Sequence, residues 1–334
     1  MQKKIFVFAI VFCMLFSVGC GQENKMDADK IARGELSVFT DEELDTLYET
    51  EFKQRQTNML QEYSMSELEA CSGRNIGGIL CRETDILMVD TANDCILVLD
   101  REGNILSTVG ETGNGSLEFL NPTGIAAQNG CIYVLDAENR RIQILNFDLT
   151  YKKEICFSEN VPKEAESANY IAVDEAGNVY LSSSNFAYGK ILCYNVQEET
   201  FVELGQNFCG AVSETDGKVY AVNLGVTTGK RNDVSGWRTG LNVLYSLTTE
   251  EMTKVCELPY GITPSGFVVD ADGIVCASGS YGTVDYYDFS GIYKHSYVNS
   301  EDISMYSNLT MDETGTIYVG LPLMEKVLEI KKVE

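Results

Sequence analysis

The chain has 334 residues, 44% of them apolar, with 18 tyrosines and 14 phenylalanines. This length fits two average domains or one large all-β domain, and the apolar content argues against global disorder. The formal net charge of −25, with no long basic run, argues against a nucleic-acid partner because an acidic surface repels phosphate backbones.

Residues 1–20 have the layout of an export signal. Residues 1–4 carry two lysines, residues 5–16 are apolar but too short for an ordinary membrane-spanning helix, and Ser17-Val18-Gly19-Cys20 follows. This ending resembles the lipobox of bacterial lipoproteins, a family that usually has Leu where this chain has Ser17. The resemblance implies an acyl lipid such as palmitate on Cys20 and an anchor on the extracytoplasmic side of the cell membrane. An ordinary cleaved signal peptide is the alternative.

Residues 21–65 are interpreted as a tether and a helical extension. Residues 21–34 are polar, as in a flexible tether. Thr40 and Glu43 match a capping box, and apolar residues at helical spacing from Leu44 to Phe52 predict a helix over residues 41–60. We expect this stripe to dock on the folded body; a helix that binds another protein is the alternative.

From residue 77 onward a four-strand pattern recurs in six units of about 43 residues, a period that fits a four-stranded propeller blade. The units cover residues 77–110, 124–157, 170–205, 209–259, 266–298 and 308–332. The sequence therefore predicts an all-β fold, a six-bladed β-propeller over residues 66–334 with a short N-terminal helical extension.

A repeated turn supports this prediction, because one turn at one interval indicates stacked equivalent units. Between the first and second strands, three units place Asp and Gly three residues apart. We expect the Asp side chain to cap the turn and the Gly to adopt a positive φ. The three pairs are Asp174 and Gly177, Asp270 and Gly273, and Asp312 and Gly315.

The second unit, with the residues that lead into it, has the most detailed motif. A glycine-rich run leads to Pro122-Thr123-Gly124, and three short apolar strands follow. This stretch resembles the NHL repeat, the blade unit of a family of β-propellers. The matching residues are Gly110, Gly113, Gly115, Phe119, Pro122, Gly124, Tyr133, Val134, Asp136, Asn139, Arg140 and Ile144. The resemblance implies that Asn139 and Arg140 are structural, as residues at these positions mostly are in that family.

The sixth unit lacks a fourth strand, which would leave an unpaired sheet edge. We expect a strand from within residues 66–75 to close the ring.

Nine cysteines remain after Cys13 and Cys20 are set aside. No unit places two of them on neighbouring strands, and sulfurs on non-neighbouring strands lie beyond disulfide reach. We expect buried free thiols, with bonds between units as the alternative.

Catalytic and metal-binding residues are scarce. The single histidine, His295, lies in an outer strand and does not make a Ser-His-Asp triad or a multi-histidine metal site. NHL-type amidating lyases and related streptogramin lyases depend on histidines, so that chemistry is not carried over. Lactonase-type propellers hold calcium with carboxylates in the central channel, but the candidate carboxylates here, including Asp90 and Asp136, fit turn positions. We predict no catalytic residue, metal or cofactor.

The candidate ligand site lies on one face, on which the loops between second and third strands and the links between units emerge. We call it the insertion face, because the fourth unit carries an insertion there, at residues 224–240. The predicted ligand-binding residues are the insertion's Lys230, Arg231, Trp237 and Arg238, with Phe186, Tyr188 and Tyr281 from the neighbouring units. Aromatic rings suit sugars or peptide side chains, and guanidinium groups suit carboxylate or phosphate. A solvated loop with half-buried rings is the alternative.

These patterns favour a non-enzymatic binding module at the cell surface whose partner is an envelope or extracellular protein, peptide or glycan. A calcium-assisted hydrolase or lactonase acting in the channel is the main alternative, and a structural subunit of an envelope complex is another.

Overall fold

The chain folds as a six-bladed β-propeller, as the sequence predicts. The computed structural model describes residues 41–157, 161, 165, 167–183, 190–206, 208–223, 242–259, 262, 264–304 and 306–333, with side chains from residue 49 onward except that of Ala70. One α-helix, α1 (Asp41–Thr57), precedes the ring. Within these ranges no helix combines the length and apolar character needed to cross a membrane.

Each blade is a four-stranded antiparallel sheet whose first strand lies innermost. Strand β1 (Tyr63–Glu67) precedes the first blade. Blade one contains β2 (Ile76–Cys81), β3 (Ile86–Asp90), β4 (Cys95–Leu99) and β5 (Ile105–Val109). A short parallel pair, β6 (Glu111–Thr112) and β7 (Glu118–Phe119), lies in the link to blade two. Blade two contains β8 (Pro122–Gln128), β9 (Cys131–Asp136), β10 (Arg141–Asn146) and β11 (Tyr151–Cys156).

The remaining blades repeat this order. Blade three contains β12 (Tyr170–Val173), β13 (Val179–Ser182), β14 (Lys190–Asn195) and β15 (Thr200–Gln206). Blade four contains β16 (Val212–Thr215), β17 (Lys218–Asn223), β18 (Asn242–Leu247) and β19 (Met252–Leu258). Blade five contains β20 (Pro264–Val269), β21 (Gly273–Ser278), β22 (Thr283–Asp288) and β23 (Tyr293–Asn299). Blade six contains β24 (Asn308–Met311), β25 (Ile317–Leu321) and β26 (Lys326–Lys332).

Burial follows the position of each strand in its blade. Every residue of the middle strands β3 and β4 is buried, because neighbouring blades cover both faces of the sheet. The outer strand β5 is mostly exposed. The continuous apolar runs in the sequence therefore mark the middle strands, and the core consists of the layers between blades.

The predicted closure of the ring is confirmed. Strand β1 pairs antiparallel with β26, from Tyr63 opposite Lys332 to Glu67 opposite Leu328, and supplies the fourth strand of blade six. The strand begins three residues before the predicted segment, because residues from Glu69 onward form a 3-10 turn that leads into blade one.

The predicted helix and its docking are observed, but the helix ends at Thr57 and not near residue 60. The chain turns to pair with blade five at this point: Met59 forms a parallel bridge with Ser296, and the Leu60 amide donates to the Ser296 carbonyl at 2.8 Å. Phe52 packs, partly buried, against the core cluster that blades three to five form. Thr40 and the side chains of Glu43, Leu44, Leu47 and Tyr48 lie outside the described residues.

The repeated turns are capped as predicted. Oδ1 of Asp174 accepts hydrogen bonds from the amides of Ala176 and Asn178, and Asp270 and Asp312 do the same in their blades. The positive φ is present at Gly177 and Gly315, but the prediction is wrong at Gly273. Glycine is required there for space, because a Cβ would lie 2.1 Å from the carbonyl oxygen of Tyr287.

The nine cysteines within the described residues are unpaired, as expected from their strand positions. Seven are buried, Cys81 is half-buried and Cys156 is exposed. Burial raises the pKa of the Cys193 thiol to about 12 and that of Cys256 to about 11, so these side chains stay protonated. They pack as small apolar groups in the core.

Ring closure predicts a difference between two truncated chains. A chain beginning at residue 69 lacks β1 and the buried Leu68, whereas a chain beginning at residue 61 keeps both. We expect the shorter chain to lose about 3 kcal/mol, because a core leucine and a paired strand are removed, and to melt roughly 6–10 °C lower. Differential scanning calorimetry measures the difference. Equal melting temperatures would show that β1 does not stabilise the ring.

Candidate binding face

The strand order separates two faces of the ring. The turns between first and second strands and between third and fourth strands emerge on one face, which we call the turn face. The loops between second and third strands and the links between blades emerge on the insertion face. Six predicted ligand-binding residues, Lys230, Arg231, Trp237, Arg238, Phe186 and Tyr188, lie outside the described residues. Their assignment stays a prediction.

Tyr281, the seventh predicted residue, lies in the loop between β21 and β22 and is only 4% exposed. Its hydroxyl donates to Oε2 of Glu51 on α1 at 2.8 Å, and the Arg55 guanidinium lies 4.0 Å from the centre of its ring. The Tyr281 side chain therefore packs against α1 and is buried there.

Arg55 holds the helix on blade five and is 1% exposed. Its Nε donates to Oδ2 of Asp285 at 2.8 Å, its Nη2 donates to the hydroxyl of Tyr287 at 2.8 Å, and its Nη1 donates to the Glu51 carbonyl at 3.1 Å. Burial by itself would lower the pKa of Arg55, but Tyr287 and Asp285 outweigh it, so the guanidinium stays charged. Oδ1 of Asp285 accepts from Ser296 at 2.7 Å, which completes the cluster.

Arg55 has no sequence motif that marks it as a buried anchor. The sequence indicates only that Arg55 shares one side of the helix with Phe52, three residues earlier, and Glu51, four residues earlier. Its partner Asp285 lies 230 residues away along the chain. Only the packing of α1 on blade five brings the two side chains together.

The glycine-rich stretch before blade two is held by buried polar groups. Arg141 donates through Nε to Oδ2 of Asp136 at 2.7 Å and through Nη2 to the carbonyls of Gly115 and Glu118, both at 2.8 Å. Oδ1 of Asp136 accepts from the Leu120 amide at 2.8 Å. Asp136 therefore anchors the link from blade one to blade two. It also accepts a hydrogen bond from Asn139 in the loop that follows β9.

Three exposed apolar side chains lie on the insertion face at blade six. Leu323 and Met324, in the loop between β25 and β26, are 65% and 46% exposed, and Tyr306, in the link from blade five, is 41% exposed. The ion pair of Lys326 with Asp302, at 2.8 Å, ties this loop to the link. These residues were missed because a sequence does not distinguish an exposed leucine in a loop from a buried one.

Tyr170 begins β12 at the insertion-face end of the central channel and is buried. Burial, with Cys209 and Tyr306 nearby, raises the pKa of its hydroxyl.

The inner strands of blades two and three pack closely against each other. A Cβ at Gly124 would lie 2.9 Å from the Ile171 side chain of the neighbouring inner strand, so the motif glycine permits close packing of the inner strands. Asp174, Asp270 and Asp312 cap turns on the turn face. No group of three His, Cys, Asp or Glu side chains that could hold a metal ion occurs within the described residues.

His295 is half-buried in the outer strand of blade five, between two tyrosines. It stacks on Tyr286 with ring centres 5.2 Å apart and meets the Tyr297 ring edge-on at 5.0 Å. Burial lowers the pKa of His295, against the opposing charges of Glu62 and Asp285. The imidazole is a packing group of this strand.

Two cavities lie next to the N-terminal segment. One, of about 600 Å³, lies between blades one and six, and its cations are already paired: Arg101 with Asp312, and Lys331 with Glu329, each at 2.8 Å. The other, of about 340 Å³, lies between α1 and blade five. Asn299, at the insertion-face end of β23, forms part of its wall.

Comparisons with known proteins agree with this fold. A family model described as a 6-bladed beta-propeller matches residues 69–201. A putative exported protein from Bacteroides fragilis is 13% identical, with 83% of this chain and 97% of that chain covered and a TM-score of 0.55. A streptogramin B lyase is 12% identical, with 83% and 99% covered and a TM-score of 0.53. A virginiamycin B lyase from Staphylococcus aureus is 12% identical, with 81% and 100% covered and a TM-score of 0.52.

These likenesses show a shared β-propeller fold and nothing finer, because the identities are low. A comparison with curated protein sequences finds no match. The resemblance to NHL repeats and to the lipobox stays a prediction.

The Arg55 cluster predicts a large stability loss on truncation of the side chain. Arg55→Ala leaves Asp285 buried without its cation, so we expect the free energy of unfolding to fall by about 3–5 kcal/mol. Lys53→Ala is the matched control on the same helix, because Lys53 is exposed and its ion pair with Glu49 is long, at 4.0 Å. Urea unfolding of both variants measures the difference. A similar small change in both would mean that Arg55 does not fasten the helix.

His295 predicts a pH dependence between about pH 7.5 and 5.5. The unfolded side chain titrates near pH 6.5 and the folded pKa is lower, so the unfolded state binds more protons as the pH falls. The free energy of unfolding should therefore decrease on acidification, and His295→Phe should flatten the decrease. Urea unfolding at a series of pH values tests this. An unchanged slope in the variant would assign the dependence to other groups.

Proposed function

We propose that the protein is a non-enzymatic binding module that holds an envelope or extracellular protein, peptide or glycan on its insertion face. A lipid on Cys20 would keep it at the extracytoplasmic side of the cell membrane. The observation that carries the proposal is the exposure of Tyr306, Leu323 and Met324 on neighbouring elements of one face. Exposed apolar side chains that share a surface are typical of interaction sites.

The difference between the two faces supports this choice. On the turn face, Asp174 and Asp312 satisfy the backbone amides of their own short turns. On the insertion face, the link from blade one to blade two does not use such a turn, and the Arg141 side chain holds it through the carbonyls of Gly115 and Glu118. The proposal also includes the predicted ligand-binding residues Phe186, Tyr188 and Trp237, which follow second strands along the chain and lie outside the described residues.

The alternative, a calcium-assisted hydrolase or lactonase, would need a donor set in the channel. The described residues contain no such set. The likeness to lyases of the streptogramin and virginiamycin type concerns the fold, and the single histidine of this chain packs between tyrosines. We therefore prefer the binding module, which the exposed side chains of Tyr306, Leu323 and Met324 support.

Ligand capture by surface variants tests the proposal. The lipid-free chain of residues 21–334 is immobilised and incubated with solubilised envelope material, and the bound component is identified and purified. Leu323→Ser with Met324→Ser should weaken its binding at least about tenfold, because two apolar contacts of about 1 kcal/mol each are lost. Trp237→Ala, tested alone, should weaken it as well.

Ile292→Ser is the matched control, because Ile292 is 57% exposed in a turn on the opposite face. Its binding should equal that of the unchanged chain. Titration of the purified ligand against Trp237 fluorescence gives the dissociation constants directly, because the chain has one tryptophan. Binding that survives the insertion-face substitutions, or that Ile292→Ser alone abolishes, would contradict the proposal.

A further inference from the structure

The cavity between α1 and blade five has the chemistry of a ligand site. Its volume is about 340 Å³, at the small end of the range for ligand pockets. It lies beside the start of the link that carries Tyr306. Two of its lining residues, Thr283 and Asn299, adjoin Gly282 and Ser300, and the Ser300 amide donates to the Gly282 carbonyl at 2.7 Å. The lining side chains other than Arg55 are uncharged: Phe52, Gln56, Met59, Gln61, Thr283 and Asn299.

The charge at the base of this cavity is already compensated. Arg55 donates to Asp285 and Glu51, so it has two carboxylate partners within the protein. A carboxylate or phosphate ligand would have to compete with these buried pairs. The cavity therefore favours a neutral ligand.

The wall offers hydrogen-bonding groups that suit hydroxyls. Asn299 donates through Nδ2 to the Tyr281 carbonyl at 3.2 Å, and Gln61 donates through Nε2 to the Met59 carbonyl at 3.2 Å. Each amide keeps an oxygen that can accept a hydrogen bond. Oγ1 of Thr283 is buried and has no hydrogen-bond partner within the described residues, which is a costly state for a polar atom.

Two half-buried apolar side chains, Phe52 and Met59, complete the wall. A pyranose ring has the matching character, with C–H faces that pack on apolar groups and hydroxyls that pair with amides. The volume of about 340 Å³ is enough for one such ring.

We propose that this cavity binds one neutral monosaccharide unit, the end of a glycan held on the insertion face. The proposal rests on the proposed binding function and gives its ligand a chemical class. Thr283 and Gln56 contribute hydrogen bonds to the sugar, and Phe52 packs against its ring.

Saturation-transfer NMR and calorimetric titration test the site with the chain of residues 21–334. The probes are the methyl pyranosides of glucose, galactose and mannose and free N-acetylglucosamine. At least one should bind with a millimolar dissociation constant. Thr283→Val and Gln56→Ala should each weaken that binding about fivefold or more, the loss expected for one hydrogen bond.

The controls separate binding from folding. Gln54→Ala changes an exposed residue of the same helix that does not line the cavity, and it should bind as the unchanged chain does. Thr283→Val replaces an unpaired hydroxyl with a methyl group, so its melting temperature should stay equal or rise. If Thr283→Val binds the sugar more weakly while its melting temperature is unchanged, the loss of affinity comes from the cavity and not from unfolding.

Two results would overturn the inference. One is that no sugar in the panel binds up to 50 mM. This result counts against the site whether or not N-acetylglutamine amide, a peptide-type probe, binds there. The other is sugar binding that both cavity substitutions leave unchanged. Either result leaves the capture test at Leu323 and Met324 standing, so failure of the sugar site and failure of the binding module can be told apart.

Discussion

The pairing of β1 with β26 is the constraint on which the ring depends. Blade six has three strands from the C-terminal end of the chain, and the fourth comes from residues 63–67. Without it, β26 would present an unpaired edge, and the junction between the first and last blades would be joined only by packing. Residues 63–67 and the last strand of the ring are thereby built into one sheet, and the other blades can stack with their middle strands covered on both faces.

Arg55 links this closure to the helix. A buried guanidinium is costly unless it is paired, and here Asp285, Tyr287 and Glu51 all contact it. Because residues 58–60 then pair with blade five and β1 follows at residue 63, the position of the helix fixes the register of the next segments. The same docking creates the small neutral cavity beside Asn299 and covers Tyr281.

The two faces of the ring have different physical roles. Turns on the turn face are short and satisfy their own amides through an aspartate. On the insertion face, the link from blade one to blade two lacks this aspartate-capped turn. A separate buried ion pair, Asp136 with Arg141, holds that link in place. The exposed side chains of blade six lie on this second face, where variation does not disturb the strands.

The sequence by itself determined the six units, their strand positions, the capped turns and the need for a closing strand, because these depend on local patterns of apolar residues and turn residues. The tertiary structure alone decided the partner of Arg55, the burial of Tyr281, the packing of His295 and the exposure of Leu323. Each of these depends on which blades and loops meet in space. Asp285 lies 230 residues beyond Arg55 along the chain, and no local pattern encodes a contact over that separation.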